Sequence, residues 1–459
     1  MQGRFALHGW QRTATPGTGP HASPARLITG AFALAVILGT LVLLLPVSRT
    51  AGSPPDVMVA AFTTVSAVCV TGLTTVDTAT YWSGFGQAVI LALIQVGGLG
   101  VMALATLLTL AVRGRLGLRT TLVAQADTHS TSLGDVRVVL GRMVVMMLTI
   151  EAAVALVLTL RFHLAYGRDW GTAAWQGVFH AGSAFNNAGF ALFSDNLVGL
   201  VTDVWVIGPL CLAIVLGGHG FPVLRELWHR WRHPRRWSLH TTLTVWGTVA
   251  LLVLGISLFW IIEGLPGGTL DGMDRSGQAV AALGGGVFPR TAGFNSVDYG
   301  LVRDETEAIT TGLMFIGGGS AGTAGGIKVT TLLILCAVVV AEIRGEPDVT
   351  IGHRRIGADV QRQALSVALL AGVLVCGATL ATLALTDLPM IDVVFEVVSA
   401  FATVGLSTGI TPDLPATAQL VLMALMFIGR VGTITVASAL ALNTRTRRYR
   451  YPEERPIVG

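Results

Sequence analysis

The sequence predicts an all-α membrane protein built from four M1–pore-helix–M2 repeats, with eight transmembrane helices and four re-entrant loops in pseudo-fourfold arrangement. Three observations predict this fold: an apolar composition, a glycine loop that recurs four times, and a glycine cluster that follows each loop. Of the 459 residues, 52% are hydrophobic and only 12% are charged, and the mean hydropathy is +0.69. Soluble domains carry about 25% charged residues, so a chain this apolar belongs in a lipid bilayer.

The four glycine loops have a near-constant spacing. Their central glycines are Gly72, Gly189, Gly293 and Gly405, separated by 117, 104 and 112 residues. A feature that recurs at a nearly fixed period indicates structural repeats. Because each loop lies between apolar segments, we expect the four loops to form the walls of one pore.

Each repeat contains an apolar span, a shorter stretch that leads into the glycine loop, and a second apolar span. In repeat one these are 27–47, 55–69 and 84–112. The middle stretch is too short to cross a bilayer as a helix, and Pro54-Pro55-Asp56 is typical of a helix start. It predicts a half-crossing pore helix and a re-entrant loop, which is tolerated where protein buries it or water lines it. The other segments are 137–160, 173–187 and 201–224 (repeat two), 241–263, 274–288 and 306–341 (repeat three), and 362–386, 390–402 and 417–442 (repeat four).

The distribution of Lys and Arg residues predicts the orientation of the chain. There are 30 of them against 26 Asp and Glu residues, which gives a formal net charge of +4. The Lys and Arg residues are concentrated between the repeats and after the last one, so by the positive-inside rule the connectors and both termini are cytoplasmic. This explains the basic clusters more simply than nucleic-acid binding, and we expect a multi-pass cell-membrane protein. The predicted segments are 1–26 (N-terminal segment), 27–112 (repeat 1), 113–136 (connector), 137–224 (repeat 2), 225–240 (basic connector), 241–341 (repeat 3), 342–361 (connector), 362–442 (repeat 4) and 443–459 (tail).

The glycine loops have the chemistry of a potassium filter. Dehydrated K⁺ needs a cage of oxygens, which backbone carbonyls can supply, and glycine removes the cost of the unusual backbone conformations required. A calcium site would use carboxylates, but the loop centres are uncharged, which favours a monovalent cation. One glycine loop alone would more simply be a turn, whereas four in register predict a filter. Its predicted residues are Val70, Thr71, Gly72, Asn187, Ala188, Gly189, Thr291, Ala292, Gly293, Thr403, Val404 and Gly405.

The segment Gly317–Lys328 predicts an intramembrane loop. Six glycines within residues 317–326 disfavour a regular helix in the middle of a span. We expect an unwound loop that blocks or clears the pore; a passive kink is the alternative. It is not a nucleotide-binding P-loop, because Ile327 precedes Lys328 and Val329 stands where Ser or Thr is required. The predicted gate residues are Gly317, Gly318, Gly319, Ser320, Gly322, Thr323, Gly325, Gly326, Lys328 and Arg430.

Arg430 belongs to the glycine cluster of repeat four. The clusters begin at Gly97, Gly217, Gly317 and Gly429, which are 25, 28, 24 and 24 residues after the central glycines. An arginine within a membrane span is costly and faces a partner or a water-filled path. We expect Arg430 to form a barrier or to anchor the loop through its carbonyls, with a buried ion pair as the alternative. Lys328 either joins this gate or extends to the cytoplasmic interface.

These motifs resemble the TrkH/KtrB/HKT superfamily of potassium transporters across residues 27–442. The resemblance rests on Val70-Thr-Gly-Leu73, Asn187-Ala-Gly-Phe190, Thr291-Ala-Gly-Phe294 and Thr403-Val-Gly-Leu406, together with Gly317–Lys328 and Gly429-Arg430. The chain is more similar to the KtrB branch than to the longer TrkH branch. The resemblance implies a pseudo-fourfold pore in each subunit, a homodimer, and a cytosolic nucleotide-binding RCK regulator of the KtrA or TrkA kind. Glycine at position 72 favours potassium, because serine there is associated with sodium transport in plant members.

The leading hypothesis is therefore gated K⁺ uptake driven by the membrane potential and regulated by an RCK partner. The alternative is a potassium symporter coupled to Na⁺ or H⁺. An enzyme is not expected, because the sequence has no paired carboxylates, metal cluster or nucleophile–base set. K⁺ is the expected transported ion, held by filter backbone carbonyls, and no organic cofactor is expected in this chain.

Overall fold

The computed structural model of the protein describes residues 24–115 and 133–432. Regular structure in this part of the chain is helical except for one antiparallel hairpin, in which β1 (Thr350–Ile351) pairs with β2 (Arg354–Arg355). The helices are α1 (Pro24–Leu43), α2 (Val57–Cys69), α3 (Thr78–Tyr81), α4 (Gly84–Arg115), α5 (Leu133–Tyr166), α6 (Trp170–Phe185), α7 (Val204–His219), α8 (Phe221–Arg230), α9 (Leu239–Glu263), α10 (Arg275–Val287), α11 (Asp304–Phe315), α12 (Val329–Arg344), α13 (Ala358–Leu383), α14 (Met390–Phe401) and α15 (Ala416–Phe427).

Three of the described helices are long and apolar enough to cross a membrane: residues Val138–Tyr166 of α5, and the whole of α9 and α13. Large apolar side chains face outward on all three. Leu156, Val253 and Val373 are 60%, 60% and 69% exposed. Such an apolar exterior is unfavourable in water and suits contact with lipid chains, which agrees with the predicted helical membrane protein.

Four short helices, α2, α6, α10 and α14, lie within three residues of the predicted short stretches 55–69, 173–187, 274–288 and 390–402. Carboxylates cap the first three at their N-termini. Asp56 accepts the backbone N–H of Met58 at 2.7 Å, while Asp169 and Asp274 cap α6 and α10. These bonds satisfy N–H groups that a helix start leaves unpaired, and they fix where each short helix begins.

The helices pack in a closed cyclic order. Each short helix contacts the long helix that precedes it: α1 with α2, α5 with α6, α9 with α10, and α13 with α14. The helix after each glycine loop contacts the next short helix along the chain, so that α4 meets α6, α7 meets α10, and α11 meets α14. Finally α15 contacts α2. This last contact joins the fourth repeat to the first and closes the cyclic order of the described helices.

Three predicted spans differ from continuous helices. The span 201–224 bends by 103° between α7 and α8, because Gly220 has a φ of +82° and Pro222 follows it. The span 306–341 is divided into α11 and α12. In the span 417–442, α15 continues as a π-helical turn, Ile428–Gly432. Residues 433–442, the tail 443–459, most of 1–26 and most of 113–136 lie outside the described residues.

Candidate functional site

The four glycine loops share an unusual backbone conformation. In each loop, the central glycine and the residue two positions before it have positive φ, whereas the residue between them does not. When residues with left-handed and right-handed backbone conformations alternate, their successive peptide groups point to the same side of the chain. The positive φ values are 56° and 99° at Val70 and Gly72, 60° and 72° at Asn187 and Gly189, 68° and 68° at Thr291 and Gly293, and 49° and 98° at Thr403 and Gly405.

The central glycines bring the four loops into direct backbone contact. A methyl group added at Gly189 would lie 2.8 Å from the carbonyl oxygen of Ala292 in the next loop, which is closer than van der Waals contact allows. Only a residue without a Cβ fits such an approach. The same contact runs from Gly72 to Ala188 O, from Gly293 to Val404 O, and from Gly405 to Thr71 O. The loops therefore form a ring in the order first, second, third, fourth and back to first.

Hydrogen bonds from loop N–H groups to carbonyls at the ends of the short helices hold the loops in place. The N–H groups of Thr71, Ala188 and Val404 donate to carbonyls five residues earlier, at 2.8, 2.7 and 2.8 Å. The third loop departs from this pattern, because Ala292 donates to Phe288, four residues earlier, at 3.0 Å. The residue after each glycine anchors the other end in the core: Leu73, Phe190, Phe294 and Leu406 are all buried.

The predicted intramembrane loop, residues 317–328, is non-helical and connects α11 to α12. Its two ends meet, since Gly317 N–H donates to Ile327 O at 2.8 Å. Its middle is held by the glycine cluster at the end of α7. There Gly319 donates to Gly218 O at 2.8 Å, and Thr323 donates to Gly217 O at 3.1 Å. The second glycine cluster therefore provides the close backbone approach that seats this loop.

The intramembrane loop lies against the glycine-loop ring. The Thr323 hydroxyl is 3.0 Å from the side-chain amide of Asn187 in the second loop. A Cβ at Gly325 would collide with Thr403 Oγ1 and Ala402 O in the fourth loop. In both loops, the intramembrane loop contacts the residue two positions before the central glycine, Asn187 in the second loop and Thr403 in the fourth. The intramembrane loop therefore contacts both the second and the fourth glycine loop.

Cationic side chains bind the carbonyl groups of this loop. Arg430 is 2% exposed, and its Nη1 donates to Thr323 O. Lys328 folds back and donates from Nζ to Ala324 O at 2.6 Å and to Gly325 O at 2.9 Å. These contacts contradict the alternative in which Lys328 extends to the interface, because two nearby carbonyls bind its ammonium group. The salt bridges of the described residues involve other cations, so the ion-pair alternative for Arg430 finds no support there.

Arg290 also contributes to the site, although it was not among the filter or gate residues predicted from the sequence. This side chain is 5% exposed, and its Nη2 donates to Gly317 O at 2.7 Å. The available signal was a single arginine in an otherwise uncharged filter segment. As for Arg430, a charged side chain within the membrane requires a partner.

The second glycine loop also has a buried polar support. Glu151, in the middle of α5, accepts hydrogen bonds from Gln95 at 2.7 Å and from Asn186 at 3.0 Å. These bonds connect α4 and α5 to the residue just before Asn187. In the described part of the chain, no group of three or more His, Cys, Asp or Glu side chains could hold a metal ion.

Comparison with known proteins agrees with this geometry. Residues 7–446 match the TrkH family, described as "Cation transport protein". The chain is 37% identical to Ktr system potassium uptake protein B of Bacillus subtilis (strain 168), covering 95% of this chain and 97% of the relative. It is 35% identical to the protein of the same name from Vibrio alginolyticus, covering 100% and 99%. It is 34% identical to the potassium/sodium uptake protein NtpJ of Enterococcus hirae, covering 95% and 97%.

The fold has a solved counterpart. The crystal structure of the potassium transporter TrkH from Vibrio parahaemolyticus superposes with a TM-score of 0.69, covering 92% of this chain and 85% of the other at 16% identity. The relatives are named as transporters, which confirms the expectation that the chain is not an enzyme. The predicted family resemblance is also confirmed: the chain belongs to the TrkH family of cation transport proteins.

Proposed function

We propose that the protein takes up K⁺ across the cell membrane through a selective, gated pore formed by its four glycine loops. The observation that carries this proposal is the closed backbone ring, in which Gly72, Gly189, Gly293 and Gly405 each meet the carbonyl-bearing residue of the next loop. Carbonyl groups arranged in rings replace the hydration shell of a potassium ion. The naming of two relatives as potassium uptake proteins supports this ion.

The twelve predicted filter residues would coordinate K⁺ through their backbone. Alternating positive φ at Val70 and Gly72, and at the equivalent positions in the other loops, supports an inward arrangement of carbonyls. The loop centres carry no carboxylate, so the site suits a monovalent ion. In this proposal eight transmembrane spans, some interrupted, and four pore helices form the four repeats, which agrees with the cyclic packing of the helices.

The intramembrane loop and Arg430 are the proposed gate. The loop contacts the ring through Thr323 and Gly325, and Arg430 holds it there through Thr323 O. Three cationic side chains bound to loop carbonyls would also repel K⁺ when the loop is in this position. Movement of the loop away from the ring would remove the loop itself, together with Lys328, from the path of the ion.

The membrane potential is the proposed driving force. It contributes about 2.3 kcal/mol per elementary charge per 100 mV, so inward movement of K⁺ requires no chemistry in this chain. The cytoplasmic location of both termini remains the prediction of the positive-inside rule. The proposed partners are a second copy of the chain and a cytosolic RCK-type regulator. The name "Ktr system" given to two relatives supports a cooperating subunit.

A second candidate is transport that involves sodium. The Enterococcus hirae relative is named a potassium/sodium uptake protein, which favours either Na⁺ permeation or coupling of K⁺ to Na⁺ or H⁺. A coupled symporter would move K⁺ only with its co-ion, whereas a pore would conduct K⁺ alone.

Flux into liposomes tests both candidates. The purified chain, with and without an added RCK subunit, is reconstituted, and uptake of K⁺, Rb⁺, Na⁺ and Li⁺ is measured with and without an imposed potential. K⁺ and Rb⁺ uptake that follows the potential in the absence of a co-ion would support the selective pore. Equal Na⁺ uptake would contradict selectivity, and uptake that requires a co-ion would favour the symporter. No cation uptake even with the regulator would contradict both.

A further inference from the structure

Two arginines from different parts of the chain hold the intramembrane loop at two different points. Arg430, which follows α15, binds Thr323 O in the middle of the loop. Arg290, in the third glycine loop, binds Gly317 O at the start of the loop. Both side chains are almost completely buried. Each guanidinium therefore depends on the loop carbonyl to offset its burial, and each carbonyl is fixed by a charge-assisted hydrogen bond.

Arg290 also belongs to the ring itself. It directly precedes Thr291, whose backbone has a φ of +68°. The Asn187 amide lies 3.5 Å from Arg290 O and 3.4 Å from Thr291 Oγ1, and the same amide contacts Thr323 of the intramembrane loop. The second glycine loop, the third glycine loop and the intramembrane loop thus meet around the side chain of Asn187.

The other three glycine loops have no cation at this position. Cys69, Asn186 and Ala402 occupy the place of Arg290, three residues before the central glycine. The third loop is also the one whose backbone bonding departs from the shared pattern, with Val287 in place of the serine found in the other three. The third loop thus differs from the other three both in this side chain and in its backbone hydrogen bonding.

We propose that Arg290 is a positioning residue that links the third glycine loop to the intramembrane loop and holds that loop against the ring as a second anchor beside Arg430. The inference rests on the proposed function, in which the intramembrane loop is the gate. Release of the loop then requires both guanidinium–carbonyl bonds to break, so a change in the third glycine loop is transmitted directly to the start of the gate.

Thiol modification measures the position of the loop without requiring ion flow. Ser320, half-buried in the loop, is replaced by Cys in the full chain, with the exposed Cys336 and Cys376 replaced by Ala; Cys69 and Cys211 are buried. The rate of reaction with a water-soluble thiol reagent is then compared between this parent protein and Arg290→Gln. We expect the rate to rise about ten- to hundredfold, because one charge-assisted bond no longer holds the loop.

A matched control removes one positive charge from an arginine that does not contact the intramembrane loop. Arg303 donates to Pro266 O at 2.6 Å, outside the loop and the ring, so Arg303→Gln should leave the rate unchanged. Arg290→Lys retains the charge with a single donor and should give a rate between those of the parent and Arg290→Gln. Gel filtration verifies that each variant is folded.

Two results would overturn the anchor: equal rates in Arg290→Gln, Arg303→Gln and the parent, or equal rates in Arg290→Lys and Arg290→Gln. Neither result depends on potassium flux, which is measured separately in the chain without substitutions. Absence of cation flux through that chain would contradict the proposed function even if Arg290→Gln released the loop. The two failures are therefore distinguishable.

Discussion

The hydroxyl oxygen of Ser66 accepts the backbone N–H of Gly72 at 3.0 Å, joining the last turn of α2 to the centre of the first glycine loop. Ser399 makes the same bond with Gly405, also at 3.0 Å. In the second loop Ser183 occupies the equivalent position, six residues before Gly189, but its hydroxyl has no hydrogen-bond partner among the described residues. The ring is thus supported by serines in two loops, and the second loop provides a natural comparison.

Replacing Ser66 with Ala should reduce the preference for K⁺ over Na⁺. The substitution leaves a buried N–H without its acceptor, which costs about 1–3 kcal/mol and loosens the glycine that carries the loop. Relative K⁺ and Na⁺ uptake into liposomes measures the effect, and a change of about tenfold corresponds to about 1.4 kcal/mol. Ser183→Ala is the control and should change little; equal effects of the two substitutions would contradict a supporting role for Ser66.

Replacing Gly405 with Ala should abolish selective K⁺ uptake. Gly405 has a φ of +98°, and a Cβ would collide with Thr71 O, so the ring cannot close. Gly409 has nearly the same φ, +97°, but a Cβ there would meet nothing within 4 Å. Gly409→Ala therefore carries a similar backbone strain of about 1–2 kcal/mol without the collision.

The Gly405→Ala and Gly409→Ala variants should differ in flux far more than in thermal stability. Uptake of K⁺ and Rb⁺ together with a melting curve for each variant separates the two effects. If Gly405→Ala retained selective uptake, the fourth glycine loop would not be part of the filter.

Removing the anchor at Arg430 should increase basal flux. Arg430→Ala deletes the donor to Thr323 O, and a hydrogen bond to a charged group contributes about 1.5–3 kcal/mol. We expect basal K⁺ flux in the absence of a regulator to rise by about tenfold or more, and a deletion within residues 318–325 to act in the same direction. Arg303→Ala serves as the control. Unaltered or lower flux in folded protein would mean that the loop and Arg430 are structural.

The Thr323 hydroxyl should contribute to the same closed position. It lies 3.0 Å from the Asn187 amide and 3.2 Å from Phe185 O. Thr323→Val keeps the shape of the side chain but leaves those partners unsatisfied, at a cost of about 1–3 kcal/mol, so basal flux should rise. Thr311→Val is matched, because the Thr311 hydroxyl bonds only within α11, to Glu307 O at 2.8 Å. Basal flux that is equally high in both variants, or unchanged in Thr323→Val, would contradict this contribution.

Local patterns in the sequence predicted most helix positions. Asp56, Asp169 and Asp274 are capping residues that lie beside the helices they start, so their effect depends on neighbours in the chain. The glycines of the intramembrane loop likewise predicted that α11 and α12 would be separate. The sharp bend between α7 and α8 was not predicted. The glycine cluster at this bend contacts the intramembrane loop, which lies about a hundred residues later in the chain, so the sequence around the bend does not contain its packing partner.

Composition, spacing and local backbone preference were enough to predict a helical, apolar protein with four recurring glycine loops and a break from regular helix at Gly317–Lys328. The closure of the ring from Gly405 to Thr71 became visible only in the folded chain. The same is true of the hydrogen bonds by which Arg290 and Arg430 bind one loop, at Gly317 and Thr323. Both relationships join residues far apart in the chain. The partners are backbone carbonyls, which every residue has, so the sequence does not show which residue will be the partner.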